Sequence, residues 1–213
     1  MSISVIVPTL NESEYIVSCL SRLQDGFEGE ILVVDGGSDD DTLAKTRGMG
    51  VETWLASKGV ASQCNFGAEK AKGEVLFFVS ADCLAPFEWS QKIESAIQSP
   101  YIAGGGFSLE IEQDKLFYRM IAFGGNFRSR LHGFSLPDQG LFVRKADFVR
   151  LGGFSKTSEI PFALFCHKLK QLGEFKILPD KMTASTRKWE QHGKIATTLR
   201  HMTTFRKYRS QEL

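Results

Sequence analysis

The chain has no CxxC pair. Its four cysteines, Cys19, Cys64, Cys83 and Cys166, lie far apart. That spacing argues against a structural zinc site and leaves free thiols in a reducing cytoplasm as the plain reading. No apolar run approaches the ~20 residues that span a bilayer as a helix. The first residues enter an apolar segment at once, without a basic stretch or a cleavage site, so no signal peptide is expected. Charge of one sign is also lacking. The 26 Lys and Arg and 25 Asp and Glu residues leave a net charge of +1, so charge gives no support to a nucleic-acid partner. No GxGxxG follows the first strand-like segment, which speaks against a dinucleotide dehydrogenase. The Pro8-Thr9-Leu10-Asn11-Glu12 segment found there is also not the basic, Gly-rich triphosphate loop of a nucleotidyltransferase.

The chain does have enough apolar residues to build a core. Its 213 residues, 42% of them hydrophobic, suit one domain, or one domain with an appendage. The first half alternates two periods. Strand-like runs cover residues 2–7, 30–35, 51–55 and 74–79, and helical patterns cover 12–23, 40–48 and 60–72. Tyr15, Ile16, Cys19, Leu20 and Leu23 recur at helical spacing and make one apolar face. Asp41-Thr42 is a start signal for the second helix, with Gly48 and Gly50 as its stop. Strands alternating with short helices predict βαβ units and a mainly parallel sheet covered on both faces.

The second half reads differently. A helix over 86–98 precedes an extended stretch over 102–111, where Gly104-Gly105-Gly106 marks a bulge or a close backbone approach. A helix over 113–123 follows, with Phe117, Ile121 and the rest of 116–123 expected in the core. Then come a Gly-rich loop over 124–133, a strand over 140–144, a short helix to Leu151, and a helix over 161–172 capped by Gly173. The stretch 194–209 is basic and helical in pattern, with Ile195, Leu199, Met202, Phe205 and Tyr208 near one face. Packing on the domain is the favoured reading of that face, and contact with an anionic membrane is the alternative. No internal repeat or low-complexity linker divides the chain.

Three of the strand-like runs end in polar residues. The first leads into Pro8-Thr9-Leu10-Asn11-Glu12, the second into Asp35-Gly36-Gly37-Ser38-Asp39-Asp40, and the fourth into Ser80-Ala81-Asp82. Each alone reads as a turn or a helix cap. A carboxylate at the carboxyl end of a strand can also hold a divalent cation against a diphosphate. Together the three tips predict one crevice that binds a nucleotide.

Those tips continue in a fixed order. Gly59 and Gln63-Cys64-Asn65-Phe66-Gly67-Ala68 stand between the second tip and the third, and after Ala81-Asp82 comes Asp138-Gln139-Gly140-Leu141-Phe142-Val143-Arg144. Leu151-Gly152-Gly153-Phe154 and Arg187-Lys188-Trp189-Glu190-Gln191-His192-Gly193 complete the series. In this order the motifs resemble family 2 glycosyltransferases of the GT-A type, over most of the chain. The resemblance is strongest to a short, domain-only bacterial subgroup found beside radical-SAM genes. It implies an α/β GT-A fold, a three-layer sandwich around a mostly parallel central sheet. Residues 1–99 would form the nucleotide-binding half, 100–193 the acceptor-side half and 194–213 a basic C-terminal helix.

The activity implied is transfer of a sugar from a nucleoside diphosphate sugar, a UDP-sugar foremost, to an acceptor hydroxyl with inversion. The acceptor is unknown, with a lipid-linked one among the candidates and membrane contact at most peripheral. Pro8 and Thr9 would line the base slot, Asp35 would accept from an imide N–H, and Glu12 would take a ribose hydroxyl. Asn11, Asp40, Lys58 and Gln63 would complete the donor site, and Asn65 would contact the base or brace the metal loop. Cys64 stands where the family often has Arg, so one guanidinium fork is missing. Asp82 would hold Mn²⁺ or Mg²⁺, although the family's Asp-x-Asp reads Ser80-Ala81-Asp82 here, and His192 would complete the metal shell. Gln139, Arg187 and Trp189 fall on the acceptor or phosphate side. The general base is open between Glu159 and Asp138, because Pro161-Phe162 stands where the family has a Glu-Asp pair. A degenerate homologue that binds nucleotide or sugar without turnover is the alternative reading.

Overall fold

A computed structural model describes residues 1–113 and 115–193. The expected basic helix over 194–213 lies outside the described residues. The first half follows the predicted alternation: β1 (Ile3–Thr9), α1 (Ile16–Gln24), β2 (Glu30–Asp35), α2 (Thr42–Gly48), β3 (Glu52–Leu55), α3 (Val60–Lys70) and β4 (Val75–Phe78). The second half adds β5 (Cys83–Leu84), α4 (Trp89–Ile97), β6 (Ile102–Ile111), α5 (Leu116–His132) and a 3-10 turn over Pro137–Gln139. It continues through β7 (Leu141–Arg144), α6 (Lys145–Arg150), α7 (Pro161–Leu169), β8 (Glu174–Ala184) and α8 (Arg187–His192).

The strands form one eight-stranded sheet in the order β3-β2-β1-β4-β7-β6-β8-β5. Side chains alternate across it and fill two cores, as a sheet covered on both faces requires. Val5, Val7, Val33 and Phe77 face α1 and α4 and meet Leu20, Leu23, Trp89 and Ile93. Ile6, Leu32, Val34 and Phe78 face α3 and α7 and meet Cys64, Ala68, Phe154 and Phe165. Each large apolar side chain so buried contributes about 1.5–3 kcal/mol before entropy is charged against it.

The strand directions position the site. Pairings β3-β2, β2-β1, β1-β4 and β6-β8 are parallel, whereas β7 runs antiparallel to both β4 and β6. Leu141, at the start of β7, therefore lies opposite Phe78, at the end of β4. The Pro137–Gln139 turn is thus brought to the edge where β1, β2 and β4 end. Strand β8 arrives at the same edge, with Ala184 paired to Cys83 and the Ser185 N–H donating to the Asp82 carbonyl at 3.1 Å.

Several expectations are corrected. The helix expected to stop at residue 123 runs on to His132, so 124–133 is not a loop; the stop is Gly133, at φ 61°. Gly124 and Gly125 each cost about 1 kcal/mol relative to Ala inside a helix. Tertiary bonds outweigh that cost. Asn126 pairs with both backbone groups of Leu109, at 2.6 and 2.9 Å, and the Ser129 hydroxyl donates to Gln139 Oε1 at 2.8 Å. Leu116, Met120 and Phe123, expected in the core, are exposed, while Phe117 and Ile121 pack against it. Helix α7 ends at Leu169, and Gly173 is not its cap. A Cβ at Gly173 would stand 2.6 Å from the Tyr101 carbonyl, so close approach explains that glycine.

Strand β8 itself was not anticipated. Pro179-Asp180 reads as a turn in sequence. Here Leu178 pairs with Phe107 and Lys181 with Ser108, so the two residues are absorbed in a bulge. The glycines of β6 do mark close approach, since a Cβ at Gly104 would lie 2.5 Å from the Phe142 carbonyl.

Candidate active site

The site is built from loops at the carboxyl edge of the sheet. After β2 the chain turns on Asp35, which is fully buried. Its Oδ1 accepts from the N–H groups of Gly37 and Ser38, at 2.8 and 2.7 Å, and its Oδ2 from the hydroxyls of Thr9 and Ser38. Asp35 and Thr9 thus shape the slot between β1 and β2, with the carboxylate already engaged by its own turn. Gln63, also buried, donates to the carbonyls of Thr9 and Val34 at 2.7 and 2.8 Å and ties the same strand ends together. Gly36 fits against it, since a Cβ there would come within 3.2 Å of the Gln63 side chain.

Asp40, rather than Asp41, caps α2. Its carboxylate accepts from Thr42 N at 2.9 Å and from Ser13 N at 3.0 Å, which joins the helix to the loop after β1. Desolvation opposes its ionisation, but the bonds from Thr42 and Ser13 together outweigh it and hold the carboxyl well below the usual range. Asn11 sits on the same loop at φ 56° and is exposed; it exchanges bonds with Ser38 Oγ and Asp39 N at 2.9 and 3.0 Å. Pro8 is half-buried on the approach to this loop, and Lys58 is exposed just before α3. Asn65 is turned away from the crevice. It pairs with both backbone groups of Phe154, at 2.8 and 2.9 Å, and so braces the loop after α6 rather than a base or a metal.

The centre of the site joins residues far apart in the chain. Arg187, at the start of α8, grips Glu12 with Nη1 to Oε2 at 2.7 Å and Nη2 to Oε1 at 2.8 Å. The same Nη2 lies 3.6 Å from Asp82 Oδ2, and the guanidinium stacks over Tyr15 at 4.7 Å. Burial alone would ease proton loss from Arg187, but Glu12 and Asp82 reverse the sign and raise its pKa. Beside Asp82 lies a cavity of about 100 Å³ lined by Tyr15, Glu112, Thr183 and Ser185, among others. A larger cavity, of about 1030 Å³, lies at the opposite edge of the sheet near Ser4, Glu30 and Gly73. It lacks the converging strand-end carboxylates, so the chemistry points to the smaller one.

Asp138 lies next to this centre. Its carbonyl accepts from Cys83 Sγ at 3.8 Å, and its carboxylate interacts with Arg128. The Asp138 side chain is buried, and its Oδ1 has no hydrogen-bond partner among the described residues. A buried, unsatisfied carboxylate oxygen is costly and suits a group that a ligand completes.

Other expected site residues are placed elsewhere. Gln139 is buried and spent on Ser129 and on the Phe107 carbonyl, the latter at 3.2 Å, so it braces rather than faces an acceptor. Trp189 is in the core, edge-on to Tyr118 at 5.9 Å, and not a stacking platform for a sugar. Glu159 is exposed before α7, and Phe162 is buried against Phe154 at 4.3 Å. The His192 side chain lies outside the described residues. All four cysteines are buried thiols outside any disulfide, and burial pushes the Cys64 and Cys166 thiols up. Tyr15 and Ser185 were missed as crevice residues. Tyr15 reads in sequence as one more member of the apolar face of α1.

This architecture is that of the GT-A glycosyltransferases. Residues 4–156 match glycosyl transferase family 2, and the chain belongs to that family. It is 27% identical over 201 residues to a dolichol-phosphate mannosyltransferase of Pyrococcus furiosus, covering 76% of this chain and 56% of that protein. The chain therefore spans about half the length of that curated relative. Among solved structures it is similar to glucosyl-3-phosphoglycerate synthase of Mycobacterium tuberculosis in complex with Mn²⁺, UDP and glucosyl-3-phosphoglycerate. The TM-score is 0.71 at 16% identity, over 97% of this chain and 79% of that one. It is also similar to S. aureus TarS in complex with UDP-GlcNAc, with a TM-score of 0.67 at 21% identity over 87% and 58%. At these identities the structural likeness speaks for the fold.

Proposed function

We propose that this chain transfers a sugar from a nucleoside diphosphate sugar, with UDP-sugars as the first choice, to an acceptor hydroxyl with inversion at the anomeric carbon. The observation that carries this reading is the convergence of Glu12, Asp82 and Arg187 at the strand ends. The loop over 8–12 and the turn over 36–40 frame a nucleoside slot that Asp35, Thr9 and Gln63 hold in shape. Glu12 would take a ribose hydroxyl and Arg187 the diphosphate, to which a guanidinium offers a planar fork of donors.

Asp82 fits one side of a divalent cation, being a carboxylate at a strand end beside the cavity. Ser80 and Ala81 provide no second acid, and among the described residues no group of three or more ligating side chains exists. A site with one carboxylate is enough where donor oxygens and water complete the shell, so Asp82 would hold Mn²⁺ or Mg²⁺. When bound, the cation neutralises charge on the departing nucleoside diphosphate. The UDP and Mn²⁺ named for the mycobacterial enzyme support this choice of donor and metal.

Asp138 is the base in this reading. Its carboxylate takes the proton of the acceptor hydroxyl as that oxygen attacks the anomeric carbon. The bond from that carbon to the diphosphate oxygen breaks with inversion, and the nucleoside diphosphate leaves. Asp138 is preferred to Glu159 because it is buried beside Cys83 with an unsatisfied oxygen.

One observation favours a second reading, a nucleotide-sugar-binding protein without turnover. Where the family carries its acid pair, Phe162 is part of the core. Incubating the protein with Mn²⁺ and a panel of UDP- and GDP-sugars separates the two. Release of nucleoside diphosphate that is lost in Asp82→Asn supports the transferase. Tight UDP binding with no turnover supports the second reading, and no nucleotide binding at all sinks both.

A further inference from the structure

We infer that Ser185 is a specificity-determining residue whose hydroxyl binds a hydroxyl of the transferred sugar, and that this sugar is uncharged. Ser185 follows β8 and is 5% exposed. Its Oγ is buried and has no hydrogen-bond partner among the described residues. The backbone of the same residue is fixed, because its N–H donates to the Asp82 carbonyl at 3.1 Å. The next hydroxyl in the chain is already engaged, since Thr186 Oγ1 donates to Glu190 at 2.8 Å. A buried hydroxyl without a partner costs stability in the free protein. It suits a group that a ligand completes.

Ser185 lines the cavity of about 100 Å³ beside Asp82. Ala81 and Ala184 keep its walls short, and Asp82, Glu112 and Thr183 share it. At ~30 Å³ per water this is room for about three waters, which suits the hydroxylated edge of a sugar ring and not a whole nucleotide. Among the described residues that line it there is no Lys, Arg or His. A carboxylate or a further phosphate would find no countercharge there and would meet Asp82 and Glu112. A neutral hydroxyl both donates and accepts, so it can satisfy Ser185 and an adjacent carboxylate at once.

Position along the sheet edge selects the part of the donor that arrives here. Strands β1 and β2 end at the nucleoside slot, β4 leads to Asp82, and β8 leads to Ser185. In the sheet these strands follow one another as β2, β1, β4 and, beyond β7 and β6, β8. A nucleoside diphosphate sugar has the same sequence of parts: nucleoside, diphosphate, sugar. With the nucleoside at Thr9 and Asp35 and the diphosphate at Asp82 and Arg187, the sugar comes next, at Ser185. The role of Ser185 thus rests on the donor-binding reading proposed above.

The test compares UDP with UDP-glucose by titration calorimetry on the full chain, with Mn²⁺ present throughout. Ser185→Ala is expected to keep the UDP affinity within about twofold of wild type and to weaken UDP-glucose about fivefold, the worth of one neutral hydrogen bond. Its melting temperature without ligand is expected to equal or exceed that of wild type, since the change removes an unsatisfied hydroxyl. A hydroxyl serving the fold alone would give the opposite, a lower melting temperature with the ratio of the two affinities intact. Monodeoxy analogues of UDP-glucose, at C2, C3, C4 and C6, locate the partner. One of them is expected to bind wild type about fivefold more weakly than UDP-glucose does, and to bind Ser185→Ala and wild type alike. Additive losses for every analogue would overturn the role of Ser185. So would UDP binding with an affinity ratio that Ser185→Ala leaves unchanged, the result expected if Ser185 held an ordered water, and the donor reading would then still stand. Absence of UDP binding would sink the donor reading itself and this role with it.

Discussion

Arg187 and Glu12 are 175 residues apart in sequence, yet they meet through two bonds of 2.7 and 2.8 Å. The pair closes the crevice by linking the start of α8 to the loop after β1. It also brings a fixed cation to 3.6 Å from Asp82. Arg187→Ala would leave two half-buried or buried carboxylates facing each other without that cation. Breaking a buried pair costs about 3–5 kcal/mol, and partial exposure brings the expectation here to about 1–3 kcal/mol. UDP affinity should fall at least tenfold. Arg187→Lys should recover part of the stability and less of the affinity, since Lys lacks the fork. Thermal melts and titration calorimetry on both variants check this. An unchanged UDP affinity in Arg187→Ala would remove the diphosphate role.

Asp82 is the residue through which metal dependence is expected to run. EDTA should abolish turnover, and Mn²⁺ or Mg²⁺ should restore it. Because a single carboxylate is available, half-maximal activity should require metal in the high micromolar range or above, on the order of 10⁻⁴ M. Asp82→Asn should cut turnover at least 100-fold and remove the gain in UDP affinity that metal gives. The check is activity and UDP binding across a metal titration, and EDTA-resistant turnover would refute the assignment.

The choice of base is tested by a pair of isosteric changes. Asp138→Asn should lower kcat by about 10²–10⁴-fold, the usual worth of a general base, with little change in UDP affinity. Glu159→Gln should stay within about twofold of wild type, because Glu159 is exposed before α7. Initial rates at saturating donor decide between them, and the reverse pattern would move the role to Glu159.

Asp40 gives stability a pH dependence of known sign. Its carboxyl titrates lower in the folded chain than the ~3.9 of an unfolded Asp. The unfolded state therefore takes up the proton first as pH falls. The contribution of Asp40 is present above about pH 4 and is lost progressively below it. At pH 7, Asp40→Ala should destabilise by about 1 kcal/mol, the usual worth of an N-terminal cap. The gap between wild type and variant should narrow on acidification to pH 3. Melting curves at both values check it, and a gap that widens in acid would contradict the cap.

Part of this molecule is written locally. The runs that become β1, β2 and β4 are apolar, short and bounded by turn residues, so their ends could be placed within a few residues. The polar tips at Glu12, Asp35 and Asp82 followed from those ends. Strand β8 was hidden because Pro179-Asp180 is a turn signal that only a long partner strand can absorb. The second half of α5 was hidden because Gly124 and Gly125 weaken a helix that Asn126 and Ser129 then secure from outside. The roles expected of Asn65, Gln139 and Trp189 depended on which way each side chain points, and motif position does not carry that information.

Residue order alone determined the alternation of strands and helices, the two-faced sheet and the carboxylates at its strand ends, because hydrophobic period and turn chemistry act over a few residues. Only the tertiary structure decided that Arg187 closes on Glu12 and Asp82, that Asp138 stands beside Cys83, and that Leu116, Met120 and Phe123 face outward. Those outcomes depend on the antiparallel insertion of β7 and the arrival of β8 at the same edge. Such long-range pairings are selected by the burial energy of the whole sheet, which no local stretch of sequence contains.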